Sequence, residues 1–596
     1  MVAPYERHQR TTQQDSLRQR LPVVIGLIVV AALYLLIRLI TFQYQPTFVT
    51  SYYDRLANLN YTDNERVASS RGVVYDRHGN PLASNTFDYE IGVSPSLIAD
   101  AQGASTRLAS ALSDYGVTEV EVLNAVRSDS PWISLANPVP PDVAQEVREM
   151  DLLGVVIDSR PKRLYPQGTL GAQLLGFVAG DETSLQPFRG YNGVEGYYEN
   201  ELAGRVRDQT TSLIPFDLPT QRAATDRGSD LVLTIDRDIQ FLVESELQFS
   251  IAESGATGGT VIVMQPRTGE ILAMASQPSY DPNAFFEIND PELLKNPAIS
   301  NEYEPGSVMK VLTMAAALDI AAVAPEDTYV DNGVLEVGGI SVYNSDRRAR
   351  GVVNMEQVLV QSLNVGATYL SLQMGPNDFY TKMDDFGIGR ATGIDLEGEA
   401  IGTMYTPGDE NWSESNLATN SFGQGVAVTP LQMITAVSAL ANDGLIMQPH
   451  IVHQFVDGSR VYPSQPSTLK RAVSRETAEL VTQMMVQTVE EGVPAAQVPG
   501  YTVAGKTGTA EIPTPLGYEP DSSIVTFVGF FPADDPQAAV LVKLDRPAGY
   551  WGSVVAAPMF ARLAQQLVIL MEIPNDDIRR GLQAEGGSVN DVWSQN

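Results

Sequence analysis

Glu304-Pro-Gly-Ser-Val-Met-Lys-Val-Leu-Thr-Met-Ala-Ala-Ala-Leu318 places Ser307 three residues before Lys310 at the head of an apolar run. Pro305 and Gly306 break the chain, and the composition from Ser307 onward favours a helix. Ser307 then sits in the first turn, where free N–H groups and the positive end of the helix dipole favour negative charge. Lys310, at i+3, can lie on the same helix face as the Ser307 hydroxyl. A serine hydroxyl is a poor nucleophile and needs a base. A lysine can be that base if burial and a neighbouring cation lower its pKa. A helix-capping serine followed by a surface lysine would carry the same letters, so the pair needs support from elsewhere in the chain.

Composition narrows the chemistry. The chain has 596 residues, 39 Lys+Arg against 72 Asp+Glu, a net charge of −33 and no cysteine. That acidity argues against nucleic acid as a partner, because phosphate binding needs a basic surface. Without cysteine there are no disulfides, thiol nucleophiles or thiolate metal sites. Only His8, His78, His450 and His453 could serve a histidine-based hydrolase or metal centre, and no H-E-x-x-H, G-x-S-x-G or Walker A pattern occurs. We therefore expect no metal and no cofactor. A hydrophobic fraction of 43% is enough for substantial cores.

Residues 22–42, PVVIGLIVVAALYLLIRLITF, match the length of a bilayer-spanning helix. Arg38 near the end can snorkel to the headgroups. Arg7, Arg10, Arg18 and Arg20 precede the run, so residues 1–21 are expected in the cytoplasm and the rest outside. A cleaved signal peptide is the rival reading; the length of the run and the lack of an A-x-A site favour an anchor in the cell membrane.

Beyond the anchor, 43–225 reads as an irregular, mostly β or α+β region with many Gly, Pro and Asp breaks. Segment 208–228 reads as a linker or exposed hairpin. From 226 to 575 the pattern is that of one large α/β or α+β domain. Leu231–Ile235 reads as a strand, and Ile239, Leu242, Val243, Leu247 and Ile251 mark one face of a following helix. Thr260–Met264 and Ile271–Ala275 read as a hairpin, with later strands near 501–510, 524–531 and 538–544. Residues 576–596 read as a polar, loose tail.

Two further patterns support the serine–lysine pair. Ser362-Leu-Asn364 and Lys506-Thr-Gly-Thr509 follow it in the chain. Alone, the first could be a cap and the second a strand with a close backbone approach. In this order they match the S-x-x-K, S-x-N, K-T-G set of penicillin-binding proteins and serine β-lactamases. The chain resembles class B penicillin-binding proteins in particular. Arg71-Gly-Val-Val-Tyr-Asp-Arg-His-Gly-Asn-Pro-Leu-Ala83, Arg163-Leu-Tyr-Pro-Gln-Gly168 and Gly193-Val-Glu-Gly-Tyr-Tyr198 look like motifs of that family's pedestal (dimerisation) domain. Leu231–Gln240, Thr268–Ala275, Phe422–Gln432 and Ala556–Phe560 look like its transpeptidase domain, and the resemblance runs from 22 to about 570.

The resemblance implies a single transmembrane helix, a pedestal domain, and a transpeptidase domain with a central antiparallel sheet flanked by helices. It implies a serine D,D-transpeptidase that acylates itself on D-Ala-D-Ala stem peptides, resolves the acyl-enzyme with a neighbouring amine, and is inhibited by β-lactams. Carried over by position, Ser307 is the nucleophile and Lys310 the general base. Ser362 relays a proton and Asn364 holds the substrate amide. Lys506 supplies positive field. Thr507 and Thr509 bind the terminal carboxylate, and the N–H groups of Ser307 and Thr509 form the oxyanion hole. Gly508 is expected to keep the strand edge clear for substrate. A SEDS-family glycan polymerase and division proteins are the implied partners, beside the lipid bilayer. The Ser421-Phe-Gly-Gln-Gly425 stretch and short connections look more like the division-type, FtsI-like branch than the elongation branch.

Rivals are weighed on specific features, and a D,D-carboxypeptidase stays an open alternative. A class A enzyme would need a Glu-Asp-x-x-Phe-type motif, and 43–225 has none. A class A β-lactamase would need a hydrolytic Glu-x-x-Leu-Asn motif, and the anchor and pedestal would be unexplained. A D,D-carboxypeptidase usually lacks this pedestal. A non-catalytic assembly scaffold would not need Lys310 or Lys506.

Overall fold

The computed structural model describes residues 22–39 without Val24, 62–67, 70–180, 188–204, 207–212, and 227–584 without Leu516, Gly549 and Tyr550. It divides into two units, 1–68 with 206–224, and 69–205 with 225–596. In the first unit, residues 25–39 are helical, and apolar side chains such as Leu27, Leu33 and Leu36 are exposed. Among the described residues no helix is long and apolar enough to cross a membrane. Of the expected anchor, Val24 and residues 40–42 lie outside the described residues, as does the whole of 1–21. Also in this unit, Thr62–Val67 pairs antiparallel with Arg207–Ser212. The described part of 208–228 is therefore largely a strand partnered with a distant segment, where a linker or local hairpin was expected; 213–226 lie outside the described residues.

The second unit begins with β1 (Val74–Tyr75) and β2 (Pro81–Val93). Next come α1 (Ala101–Ala111), α2 (Glu119–Val126), β3 (Ile133–Val139), α3 (Pro141–Glu149) and β4 (Val155–Leu164). Strand β2 pairs antiparallel with β3 and with β4. The helices start where local chemistry dictates. The Asp100 side chain accepts the Gly103 N–H to cap α1, and Thr118 with Glu121 forms a capping box on α2. Ile91, Leu108, Val122 and Val139 close a core of their own. This region is thus more regular than its Gly- and Pro-rich sequence implied, because its long-range strand pairing has no periodic signature in any one segment.

The larger part continues with β5 (Asp230–Leu233), α4 (Arg237–Ser254), β6 (Gly258–Met264) and β7 (Ile271–Gln277). After these come α5 (Met309–Asp319), α6 (Asn364–Asp385), β8 (Val452–Asp457), β9 (Ala504–Thr514), β10 (Gly517–Phe531), β11 (Ala538–Asp545), α7 (Ala556–Leu570) and α8 (Asp576–Ala584). A five-stranded antiparallel sheet runs β7-β6-β11-β10-β9, leaving β9 at an edge. Strand β6 shows how its faces divide. Val261 and Val263 pack with Leu247 of α4 and Phe560 of α7, whereas Ile262 and Met264 join the core that holds α5 and α6. This two-sided burial follows from the period-2 alternation of side chains. Residues Met309 to Ala317 of α5 are all buried, so it is a central core helix.

A second sheet of seven strands runs from the edge strand Arg460–Pro463 through β8 and β5 to β1, β2 and β3, with β4 also on β2. Its central step is the parallel pairing of Val74 with Leu231 and Tyr75 with Val232. The C-terminal region departs from the loose tail expected. Arg579 of α8 is 2% exposed and pairs with Asp534 and Asp576. Asp576 in turn accepts the N–H and hydroxyl of Thr502, just before β9. Residues 585–596 lie outside the described residues.

Candidate active site

Ser307 occupies a 3-10 turn, Gly306–Val308, that runs directly into α5. The turn is fixed from three directions. Gly306, at φ +55°, donates its N–H to Gly423 O (3.0 Å). Tyr303 and Val428 exchange backbone hydrogen bonds of 2.9 Å. The Glu304 carboxylate accepts the Gly425 N–H (2.9 Å) and the Tyr518 hydroxyl (3.3 Å). The Ser421–Gly425 stretch thus acts as a brace for the serine turn. Burial pushes the Glu304 carboxyl above its usual pKa.

Lys310 and Lys506 are each 1% exposed, and both reach Ser362. Lys310 Nζ donates to the Ser362 carbonyl at 2.6 Å and lies 3.2 Å from Ser362 Oγ. Lys506 Nζ lies 3.1 Å from the same Oγ and 3.2 Å from Thr507 O. Lys310 is therefore aimed across the cleft at Ser362 as well as placed one turn from Ser307. Neither lysine has a carboxylate partner among the described residues. Burial, with the Lys506 charge added, holds the Lys310 ammonium well below the ordinary lysine range. Burial lowers Lys506 to about 8. Of the two, Lys310 is therefore the more readily neutralised, with the Lys506 charge among the causes.

Ser362 itself sits at φ +53° between the helix Met355–Val360 and α6. A non-glycine residue there is strained. The strain is held by the Ser362 N–H on Leu359 O and by the two lysines on its oxygens. Asn364 opens α6 and donates to Tyr343 O (2.9 Å), while Asn344 Oδ1 accepts the Val365 N–H (3.2 Å). Asn344 is locked by a 2.8 Å bond to Asp331. No sequence pattern marks this Tyr343-Asn344 support, because it lies some twenty residues before the motif it holds. Glu304 and Tyr518 were missed as well, although Glu304 stands three residues before the serine.

Lys506, Thr507, Gly508 and Thr509 lie on edge strand β9, which packs against the serine turn. A Cβ at Gly508 would lie 2.8 Å from Pro305 O and 3.0 Å from Val308 Cγ2. The glycine is therefore needed for the approach of β9 to the turn, a role in addition to the one expected toward substrate. Thr509 Oγ1 accepts the Gly552 N–H (3.3 Å), which leaves its own proton free to donate to an incoming acceptor. All the residues expected at the site come together here: Ser307 and Lys310 on the turn and α5, Ser362 and Asn364 at the start of α6, and Lys506 to Thr509 on β9.

Residues 259–565 match the model of the penicillin binding protein transpeptidase domain, and 66–213 match that of the penicillin-binding protein dimerisation domain. The chain is 32% identical to stage V sporulation protein D of Bacillus subtilis over 524 residues, 85% of this chain and 79% of that protein. It is 31% identical to the peptidoglycan D,D-transpeptidase FtsI of Escherichia coli K12 over 541 residues, 87% and 86% of the two chains. Penicillin binding protein 3 of Mycobacterium tuberculosis, solved in complex with aztreonam, superimposes with a TM-score of 0.66 at 28% identity, covering 86% of this chain and 98% of that one.

Proposed function

The chain belongs to the class B penicillin-binding proteins and is a peptidoglycan D,D-transpeptidase, and we propose on that basis that it cross-links stem peptides in septal wall through an acyl-enzyme on Ser307. The observation that carries the chemistry is the meeting of two buried, carboxylate-free lysines on one serine hydroxyl.

In this mechanism the neutral Lys310 amine takes the Ser307 proton as Oγ attacks the carbonyl carbon of the penultimate D-Ala. The Ser307 Oγ–C bond forms, the C–N bond to the terminal D-Ala breaks, and the proton passes through Ser362 to the leaving amine. Lys506 stays charged, which keeps Lys310 neutral and attracts the substrate carboxylate, with Thr507 and Thr509 as its hydrogen-bond donors. The oxyanion lies between the N–H groups of Ser307 and Thr509, each such donor being worth about 3–4 kcal/mol. Asn364, held by Tyr343 O, faces the substrate amide. A second stem-peptide amine reverses the sequence and releases Ser307. A β-lactam enters the same path and stays on the serine.

The septal role is supported by the similarity to FtsI of Escherichia coli. The sequence of 22–42 supports a membrane anchor with residues 1–21 inside, and a SEDS-family polymerase is the partner we propose at the membrane. Depletion of the protein from growing cells tests the role. Filaments with unfinished septa would support it, whereas rounding with septation intact would move the protein to side-wall growth.

A further inference from the structure

The loop 343–350 wraps the Ser362–Val365 corner and carries positive charge that the mechanism above does not use. Tyr343 O accepts from Asn364, Asn344 Oδ1 accepts from Val365, and Arg350 Nε donates to Gln361 Oε1 at 2.9 Å. The loop is thus tied at three points to the segment that carries two of the expected catalytic side chains. Arg347 closes a turn by donating its N–H to Asn344 O (2.8 Å), at φ +55°, and its guanidinium lies 5.1 Å from the centre of the Tyr343 ring. Arg350 is spoken for by Asp346 at 2.6 Å. Arg347 and Arg348 are exposed and have no carboxylate within ion-pair distance among the described residues, with Asp346 the acidic neighbour whose charge Arg348 feels.

The geometry matters as much as the charge. A guanidinium stacked on an aromatic face is oriented in advance, and its N–H edge remains free for a planar carboxylate. Tyr343 is paired with Val334 across its hairpin, and Val337 and Val342 anchor that hairpin beside Ala367 of α6. The platform under Arg347 is therefore rigid.

We propose that Arg347, with Arg348 beside it, forms an anion subsite that selects donor stem peptides bearing a carboxylate on the residue directly preceding the acylated D-Ala. This rests on the transpeptidase reading and adds a specificity determinant to it. Arg347 acts by binding substrate and takes no part in proton transfer.

The test uses the full chain in detergent micelles and two synthetic ester donors ending in D-Ala-D-lactate. They differ only in whether the residue before D-Ala carries a carboxylate or its carboxamide, and Ser307 acylation is followed by intact mass. The wild type should react about five- to tenfold faster with the carboxylate donor, the range expected of a partly exposed charge-assisted bond. Arg347→Ala should bring the ratio toward one, Arg347→Lys should keep part of it, and added salt should shrink it in the wild type. Equal wild-type rates, or a ratio that survives Arg347→Ala while both rates fall together, would overturn the subsite. Failure of both donors to acylate Ser307 would instead overturn the transpeptidase reading beneath it.

Discussion

Lys310 and Lys506 set the chemistry, and both carry a cost in stability. Each is an amine buried without an anion, an arrangement that disfavours its charged form and, for the Lys506 cation, folding as well. Replacing Lys506 with Met should stabilise the protein by about 1–3 kcal/mol in denaturant unfolding. The same variant should lose acylation by roughly 100- to 1,000-fold, the cost of removing one preorganised electrostatic group. The pH profile follows from the same pair. Acylation should rise as Lys310 loses its proton, well below the ordinary lysine range, and fall as Lys506 is neutralised near pH 8. In Lys506→Met the rising limb should move to higher pH, because the cation that helps keep Lys310 neutral is gone. Stability has a defined sign as well. With Lys506 lowered to about 8 from 10.5, the unfolded chain binds more protons between those values. Unfolding free energy should therefore increase as pH rises through that window, and the Lys506→Met variant should show less of this rise. At this scale the sequence was informative: Ser307, Lys310, Ser362, Asn364 and Lys506 were each identifiable from short patterns in a fixed order. The partner of each was not, since Lys310 turns to Ser362 through a backbone carbonyl that no side-chain pattern records.

Two elements meet at Gly508, edge strand β9 and the turn that precedes α5. A Cβ there has no room against Pro305 O, so Gly508→Ala should separate strand and turn. We expect a loss of about 1–3 kcal/mol, the usual cost of overpacking, with slowed acylation by a β-lactam. Unchanged acylation in a folded Gly508→Ala protein would show that this approach does not position the serine. Helices and hairpins near the site were legible where the pattern is local: α4 shows its apolar face at i, i+3 and i+4 spacing, and β6 and β7 flank an evident turn. The pedestal strands were not, because β2 pairs with β3 and β4 across intervening helices. The helix α8 was hidden by its polarity. It is held by a buried arginine and by Asp576 caught by Thr502, not by an apolar face.

For the molecule as a whole, the pedestal region and the catalytic region share one seven-stranded sheet through the β1–β5 pairing. The junction is locked by polar groups. Arg71 and Arg163 both reach the fully buried Glu195, at 2.6 and 2.7 Å. The Tyr198 hydroxyl donates to Asp395, which also accepts the Ile451 and Val452 N–H groups. Glu195→Ala would leave the Arg163 guanidinium buried without its anion and Arg71 with only Glu199, at 2.7 Å, and should cost about 3–5 kcal/mol in denaturant unfolding. The motifs Arg71-Gly and Gly193-Val-Glu-Gly196 are thus structural, a role the sequence could locate but not explain. The central claim remains that Ser307 is the acylated nucleophile, and its most direct test is covalent. The full-length protein is incubated with a penicillin, and intact mass and peptide mapping are followed over time with Ser307→Ala alongside. The account predicts one lasting adduct per chain on the peptide containing Ser307 and none in the variant. An adduct that persists in Ser307→Ala, or folded wild-type protein that stays unmodified by both a penicillin and a D-Ala-D-lactate donor, would contradict it.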